Sequence, residues 1–251
     1  MKGFRVASVL VLCIGAIAVA DDVRQFRGQH RDGIFAEQGL LQAWPDGGPV
    51  EAWAAQGIGG GFSSPIIVDG KIYVTGMLDE NAGNLFVLDE ATGAIEKTYA
   101  YGPETLNDQA QGPRSTPTWD EGHLYFLSGP GVVYCMNAAD GAILWSVDMV
   151  GRFAARKILW DYSESLLVTG NRVYCTPGGP KALMAALDKM TGETIWTTPG
   201  LEDMASYCSP VLIQHRGAPM LLNATGENII GVDPDTGRLR WSFYHKVNWN
   251  L

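Results

Sequence analysis

The stretch Asp188-Lys189-Met190-Thr191-Gly192-Glu193-Thr194-Ile195-Trp196 decides how this chain is read. An Asp carboxylate can accept hydrogen bonds from backbone N–H groups two or three residues on, closing a turn locally. The Gly supplies the positive φ that a tight reversal needs. The short run after it favours a strand and carries Trp near its end. Moving outward, the same grammar stands at Asp89-Glu90-Ala91-Thr92-Gly93. It returns at Asn137-Ala138-Ala139-Asp140-Gly141, followed by Trp145, and at Asp233-Pro234-Asp235-Thr236-Gly237, followed by Trp241. The first residue of the turn recurs at intervals of 48, 51 and 45 residues. Each copy also opens on a related step: Ser63-Ser64-Pro65, Ser115-Thr116-Pro117, Glu164-Ser165-Leu166 and Cys208-Ser209-Pro210. Between step and turn lie β-rich runs such as Lys71-Ile72-Tyr73-Val74 and Asn84-Leu85-Phe86-Val87-Leu88. No window of 12 or more residues shows helical periodicity.

A repeat of this length with four strands per unit is the signature of a β-propeller blade. The predicted fold is all-β: four-stranded antiparallel blades at about 63–101, 115–149, 164–198 and 208–244, within a propeller region 63–251. An N-terminal segment, 21–62, precedes them and is expected to include an outer strand with Trp53. A large aromatic at a fixed point of the outer strand can fill the gap between adjacent blades. The series runs Trp53, Lys97, Trp145, Trp196, Trp241, so the junction at Lys97 is expected to be weaker or differently packed. Propellers close their ring so that no sheet keeps a bare apolar face. The sequence stops where a fifth first strand should begin, so an incomplete ring is expected. It would be a piece of a longer protein or a half-ring needing a second copy, prone to self-association when made alone.

Composition sets further bounds. Of 251 residues 46% are hydrophobic and 18% charged, a globular balance. Lys2 and Arg5, the apolar run from Val6 to Ala18 and the small-x-small end Ala18-Val19-Ala20 predict a cleaved signal peptide over 1–20 and hence a secreted or periplasmic protein. The apolar run is too short for a membrane-crossing helix, and no later stretch is long or apolar enough. The net charge is −9 and becomes −11 once Lys2 and Arg5 are removed. Such an acidic surface disfavours nucleic acid as a partner. Cys135, Cys175 and Cys208 match no metal or redox motif and read as small apolar core residues, one disulfide at most being allowed. His30, His123, His215 and His245 have no metal-ligand spacing, so no metal site is expected. Gly57-Ile58-Gly59-Gly60-Gly61 lacks the setting and the Lys of a phosphate loop and reads as a flexible lead into the first blade. Asn223-Ala224-Thr225 matches a glycosylation sequon, a pattern common by chance.

The repeat, with its Asp-x-x-Thr-Gly turn and Trp-bearing last strand, resembles the tryptophan-docking repeat of pyrroloquinoline-quinone (PQQ)-type propellers from about Trp53 to Trp241. Gln25-Phe26-Arg27-Gly28 with Arg31-Asp32-Gly33, Gly112 to Pro117, and Tyr162 to Ser165 resemble a secreted bacterial subgroup of that family. The resemblance implies one enzyme reading, a PQQ-dependent dehydrogenase holding quinone and Ca²⁺ in the channel. Many alcohol-oxidising members also carry two adjacent bonded cysteines, which this sequence lacks, and no loop has calcium-site spacing. It equally implies a non-catalytic scaffold of the kind found in the outer-membrane β-barrel assembly machine. The favoured expectation is a protein- or ligand-binding scaffold with no catalytic residues and no cofactor. The alternatives are the dehydrogenase and a glycan- or small-ligand site in the channel mouth.

Aligning Pro65, Pro117, Leu166 and Pro210 places Phe62, Arg114, Ser163 and Tyr207 in equivalent positions before the inner strands. These are expected to ring the channel mouth, with Trp160, Tyr162 and Glu164 beside them. Charge plus aromatics at a concave mouth is the composition of a recognition site. The plainer reading is that Arg114 and Glu164 pair across a blade junction.

Overall fold

The computed structural model describes residues 22–246 except 80, 107, 108 and 157. The predicted signal peptide and the last five residues lie outside the described residues. The structure is a β-propeller of four-stranded antiparallel blades. Blade 1 holds β1 (Ile66–Val68), β2 (Lys71–Asp79), β3 (Ala82–Asp89) and β4 (Ile95–Gly102). Blade 2 holds β5 (Thr118–Asp120), β6 (His123–Leu127), β7 (Val132–Asn137) and β8 (Ile143–Asp148). One short helix, α1 (Met149–Phe153), follows, its N-terminus capped by Asp148. Blade 3 holds β9 (Leu167–Thr169), β10 (Arg172–Cys175), β11 (Ala185–Asp188) and β12 (Thr194–Thr197). Blade 4 holds β13 (Val211–His215), β14 (Ala218–Ala224), β15 (Asn228–Val232) and β16 (Leu239–Tyr244). In every blade sequential strands are spatial neighbours. The first strand is innermost, since β1 touches β5 and β5 touches β9. The blades form an arc, not a closed ring.

The repeated turn is built as its residues dictate. Asp89 Oδ1 accepts from the Thr92 N–H at 3.0 Å and the Thr92 hydroxyl at 2.8 Å, while Gly93 N–H donates to Asp89 O at 2.8 Å. Asp188 and Asp233 repeat the pattern. One residue ahead of each turn the register between third and fourth strands shifts: at Val87/Leu88, Cys135/Met136, Ala186/Leu187 and Gly231/Val232. A bulge at a constant repeat position adds local twist to each blade's outer edge.

The core lies between blades. Leu85, Val87, Leu124, Phe126 and Met136 fill the first junction. Tyr125, Val133, Val147, Leu166, Val173 and Leu187 fill the second. Leu167, Tyr174, Trp196, Leu221 and Ile230 fill the third. At the rim the aromatics lock the junctions. Trp145 Nε1 donates to Lys189 O at 3.0 Å with its ring over Gly192, and Trp196 Nε1 donates to Pro234 O at 3.0 Å with its ring over Gly237. At Gly237 (φ +73°) an added Cβ would overlap the indole, so the turn must keep a bare backbone there for two reasons.

Two expectations are corrected here. Trp53 docks on blade 1, its Nε1 donating to Glu90 O at 3.0 Å and its ring over Gly93, but it sits in no strand. Residues 53–58 cover the blade with Trp53, Ala55 and Ile58 against Ile72, Val74, Phe86 and Leu88. Their nearest ladder contact is the single bridge Gly60–Met77. The glycine-rich lead is therefore packed: a Cβ on Gly59 would strike the Met77 carbonyl. The Lys97 junction is differently packed, as expected, its aromatic shifted by two residues. The Tyr99 ring covers Gly141, and Tyr99 Oη and Lys97 Nζ both donate to Ala139 O, at 3.1 and 2.7 Å.

The N-terminal segment follows the inner strands. Val23 exchanges backbone hydrogen bonds with Ile67 of β1. Arg24 O accepts from the Trp119 N–H of β5. The Arg31 side chain donates to Ser165 O at 2.6 Å and Leu166 O at 3.1 Å, ahead of β9. Residues 22–31 thus tie three blades together along the axis.

Candidate functional site

The loops entering each inner strand meet on one face. There Ser64 N–H donates to Thr116 Oγ1 at 3.2 Å, Thr116 N–H to Ser165 Oγ at 3.0 Å and Ser165 N–H to Ser209 Oγ at 2.9 Å. The hydroxyls of Thr116, Ser165 and Ser209, one residue ahead of the Pro65-like positions, therefore each stitch their blade to the previous one. The recurring Ser/Thr was legible as a repeat, but its role between blades was not.

Beside this stitch the structure gathers Arg114, Trp160, Ser163 and Tyr207 around a cavity of about 370 Å³, with Gln109 and Ala110 completing the wall. The Trp160 and Tyr207 rings lie 5.7 Å apart and tilted by 38°. They are hydrogen-bonded too, the Trp160 backbone N–H donating to the Tyr207 hydroxyl at 3.3 Å. Arg114 is pinned by donation to Trp160 O and Ala110 O. Burial lowers the pKa of its guanidinium, against the pull of Asp161 and Glu104. Two carboxylates that sequence reasoning missed hold these loops. Glu104 accepts from the Tyr101 hydroxyl at 2.6 Å and Gly129 N–H at 2.9 Å. Asp203 accepts from Thr225 Oγ1 at 2.6 Å, Glu227 N–H at 2.9 Å and Asn228 Nδ2 at 2.8 Å. In both, a carboxylate from the loop between blades caps the next blade's hairpin. The faint signal is an acidic residue shortly after the glycine at or just beyond the end of two outer strands, Gly102 and Gly200.

Not every predicted mouth residue is there. Phe62 is exposed and lies apart from the cavity, tied to it through its N–H on Pro113 O at 2.7 Å. Tyr162 and Glu164 are buried beneath the mouth at 1% exposure each. Alternation along an extended chain turns them inward while Ser163 faces the cavity. Tyr162 Oη donates to Pro177 O at 2.8 Å, and Glu164 Oε2 accepts from Thr176 N–H at 3.0 Å. Arg114 and Glu164 form no ion pair among the described residues. The cation near Glu164 is Arg31. Burial pushes the Glu164 carboxyl up to about 8, opposed by its hydrogen bonds to Thr176 and by the Arg31 charge. Asn223 of the sequon is buried and donates to Thr176 Oγ1 at 2.8 Å, so this fold hides it from modification.

Fold and site define a tryptophan-docked propeller with an aromatic, arginine-bearing mouth. The family model described as outer membrane protein assembly factor BamB matches residues 103–243, and the chain belongs to this family of PQQ-type repeat proteins. Among curated relatives, quinohemoprotein alcohol dehydrogenase ADH IIB of Pseudomonas putida is 29% identical over 153 residues, 55% of this chain and 21% of that protein. The BamB of Moranella endobia is 25% identical over 192 residues, 76% of this chain and 45% of that protein. The chain therefore spans less than half the length of either. A solved quinohemoprotein alcohol dehydrogenase from Comamonas testosteroni superposes with a TM-score of 0.55 at 15% identity, over 89% of this chain and 49% of the other, a likeness of fold.

Proposed function

We propose that this chain is a non-catalytic propeller scaffold of the cell envelope, exported by its N-terminal segment, whose mouth binds a protein segment or small ligand at Arg114, Trp160, Ser163 and Tyr207. The observation that carries the reading is the aromatic pair beside a pinned arginine over a cavity of about 370 Å³. Rigid aromatics and a preorganised arginine are the anchors of recognition surfaces. Matching relatives named as outer membrane protein assembly factors favour the scaffold; a matching quinohemoprotein dehydrogenase keeps the enzyme as the rival.

The residues present fit PQQ with Ca²⁺ poorly. Val23, Arg24 and Arg31 lie along the inner strands that would have to line a quinone site. Among the described residues no group of three or more His, Cys, Asp or Glu side chains could hold a metal ion. The deciding experiment adds PQQ and Ca²⁺ to the purified chain and follows quinone absorbance and alcohol-dependent dye reduction. The scaffold reading expects neither bound quinone nor turnover, and either would overturn it in favour of the dehydrogenase. For the mouth itself, Trp160→Ala and Arg114→Ala should each weaken any partner found by about tenfold or more, the range of an interface anchor.

A further inference from the structure

A second cavity, of about 230 Å³, opens where the N-terminal turn meets blade 4, lined by Phe26, Arg27, Arg31, Tyr207, Ser209 and Val211, with Cys208. It shares Tyr207 with the mouth cavity but none of that cavity's other residues. We infer that this cavity is a binding site for a small carboxylate carrying an adjoining apolar group. Arg27 and Arg31 both line it. Every hydrogen-bond partner recorded for them is neutral: Asp32 O for Arg27, and Gln25 Oε1, Ser165 O and Leu166 O for Arg31. Neither joins an ion pair among the described residues. Arg31 is 5% exposed and its Nε is buried without a partner. A buried cation is costly unless an anion or a full set of acceptors compensates it. The nearby Glu164 is a weak counter-ion, since burial leaves its carboxyl largely protonated at neutral pH. An incoming carboxylate supplies the missing charge beside Arg31 and can engage the exposed Arg27 in the planar, two-point geometry that guanidinium favours.

The rest of the wall sets the remainder of the ligand. Phe26, Tyr207 and Val211 offer apolar surface, and Ser209 adds a hydroxyl. At about 30 Å³ of liquid volume per water, the space equals roughly eight waters, enough for a ligand of about ten heavy atoms. Arg27 and Arg31 also both hold positive φ, +62° and +57°, which side-chain-bearing residues adopt at a cost. The site does not rest on the function proposed for the mouth.

The test is calorimetric titration of the full chain with phenylacetate and with its neutral isostere phenylacetamide, at neutral pH and low salt. Phenylacetate should bind about tenfold or more tightly than the amide. Arg27→Ala, at an exposed position, should fold and lose most of that preference. Arg31→Lys, which keeps the charge but not the fork, should lose part of it. Cys208 is the one partly exposed free thiol among the described residues, so phenylacetate should slow its alkylation by a maleimide. Equal affinity for acid and amide, an unchanged Arg27→Ala, unprotected Cys208, or no binding up to about 10 mM would each overturn the inference.

Discussion

Trp196 and Trp241 occupy the same place in successive repeats and lead different lives. Trp196 is 8% exposed, bonds Pro234 O and lies over Gly237 of the next blade. Trp241 is 39% exposed and lies over Gly231 of its own blade, its Nε1 on Met220 Sδ at 3.2 Å. Phe243 and Tyr244 beyond it are exposed at 60% and 64%. The repeat motif therefore carries no fixed energy of its own. What a tryptophan contributes is delivered by the turn of the following blade, and among the described residues Trp241 has none. The largest expected effect breaks the working half of this pair. Trp196→Ala should cost about 3–5 kcal/mol, the range for removing a buried large aromatic, read as a drop in the denaturant midpoint.

Beneath the mouth lies a second contrast, between carboxylates. Glu104 and Asp203 accept hydrogen bonds on both carboxylate oxygens, whereas Glu164 has a buried Oε1 with no partner. Its pKa is raised from 4.5 to about 8 by burial. The folded state thus holds this proton more tightly than the unfolded chain does. The associated stability is complete below about pH 4.5 and is lost as pH rises toward 8. The loss should reach the order of 4 kcal/mol by pH 8. Glu164→Gln keeps an acceptor for Thr176 N–H and removes the titration. Its melting temperature should exceed wild type most near pH 8 and converge with it near pH 5. Parallel profiles would show that Glu164 ionises normally.

The receiving side of the dock can be broken as well. Gly237→Ala puts a Cβ into the Trp196 indole and forces a side-chain-bearing residue to φ +73°. The expected cost is about 1–3 kcal/mol. The same change at Gly217, also at positive φ but with nothing near its missing Cβ, should cost only the conformational part. Equal losses at both would mean that the indole moves aside freely.

Turns and tryptophans were legible because they are local. Asp, Thr and Gly within five residues specify a turn wherever they occur, and the 45–51-residue period then fixes the fold class. Tyr99 was not legible, because an aromatic displaced by two residues keeps the same sheet face but leaves the motif. The path of residues 22–31 was hidden for another reason. Arg31 meets Ser165 and Leu166 across more than 130 residues, a pairing that no local pattern encodes. Of the mouth, Arg114, Ser163 and Tyr207 are together because equivalent repeat positions converge, and Trp160 joins them from the loop just ahead of Ser163. Tyr162 and Glu164 flank Ser163 in the sequence and share the mouth's charge and aromatic character, but the alternation of the extended chain turns both inward.

The smallest effect is the sharpest test of the opening contrast. Trp241→Ala removes a side chain that covers Gly231 and Met220 from solvent but bridges no blades. What is lost is partial apolar burial on one sheet face, so the cost should be about 1 kcal/mol or less. That is well under the loss at Trp196, although residue type and repeat position are identical. The outcome depends on what else covers the blade 4 face. If a second copy packs there, Trp241→Ala should lower the sedimentation coefficient and its cost should grow with protein concentration. If the arc is self-sufficient, the cost stays small at every concentration. A loss as large as that at Trp196 in a strictly monomeric chain would mean that the indole stabilises its own blade, and the assignment of docking energy to the following turn would be wrong.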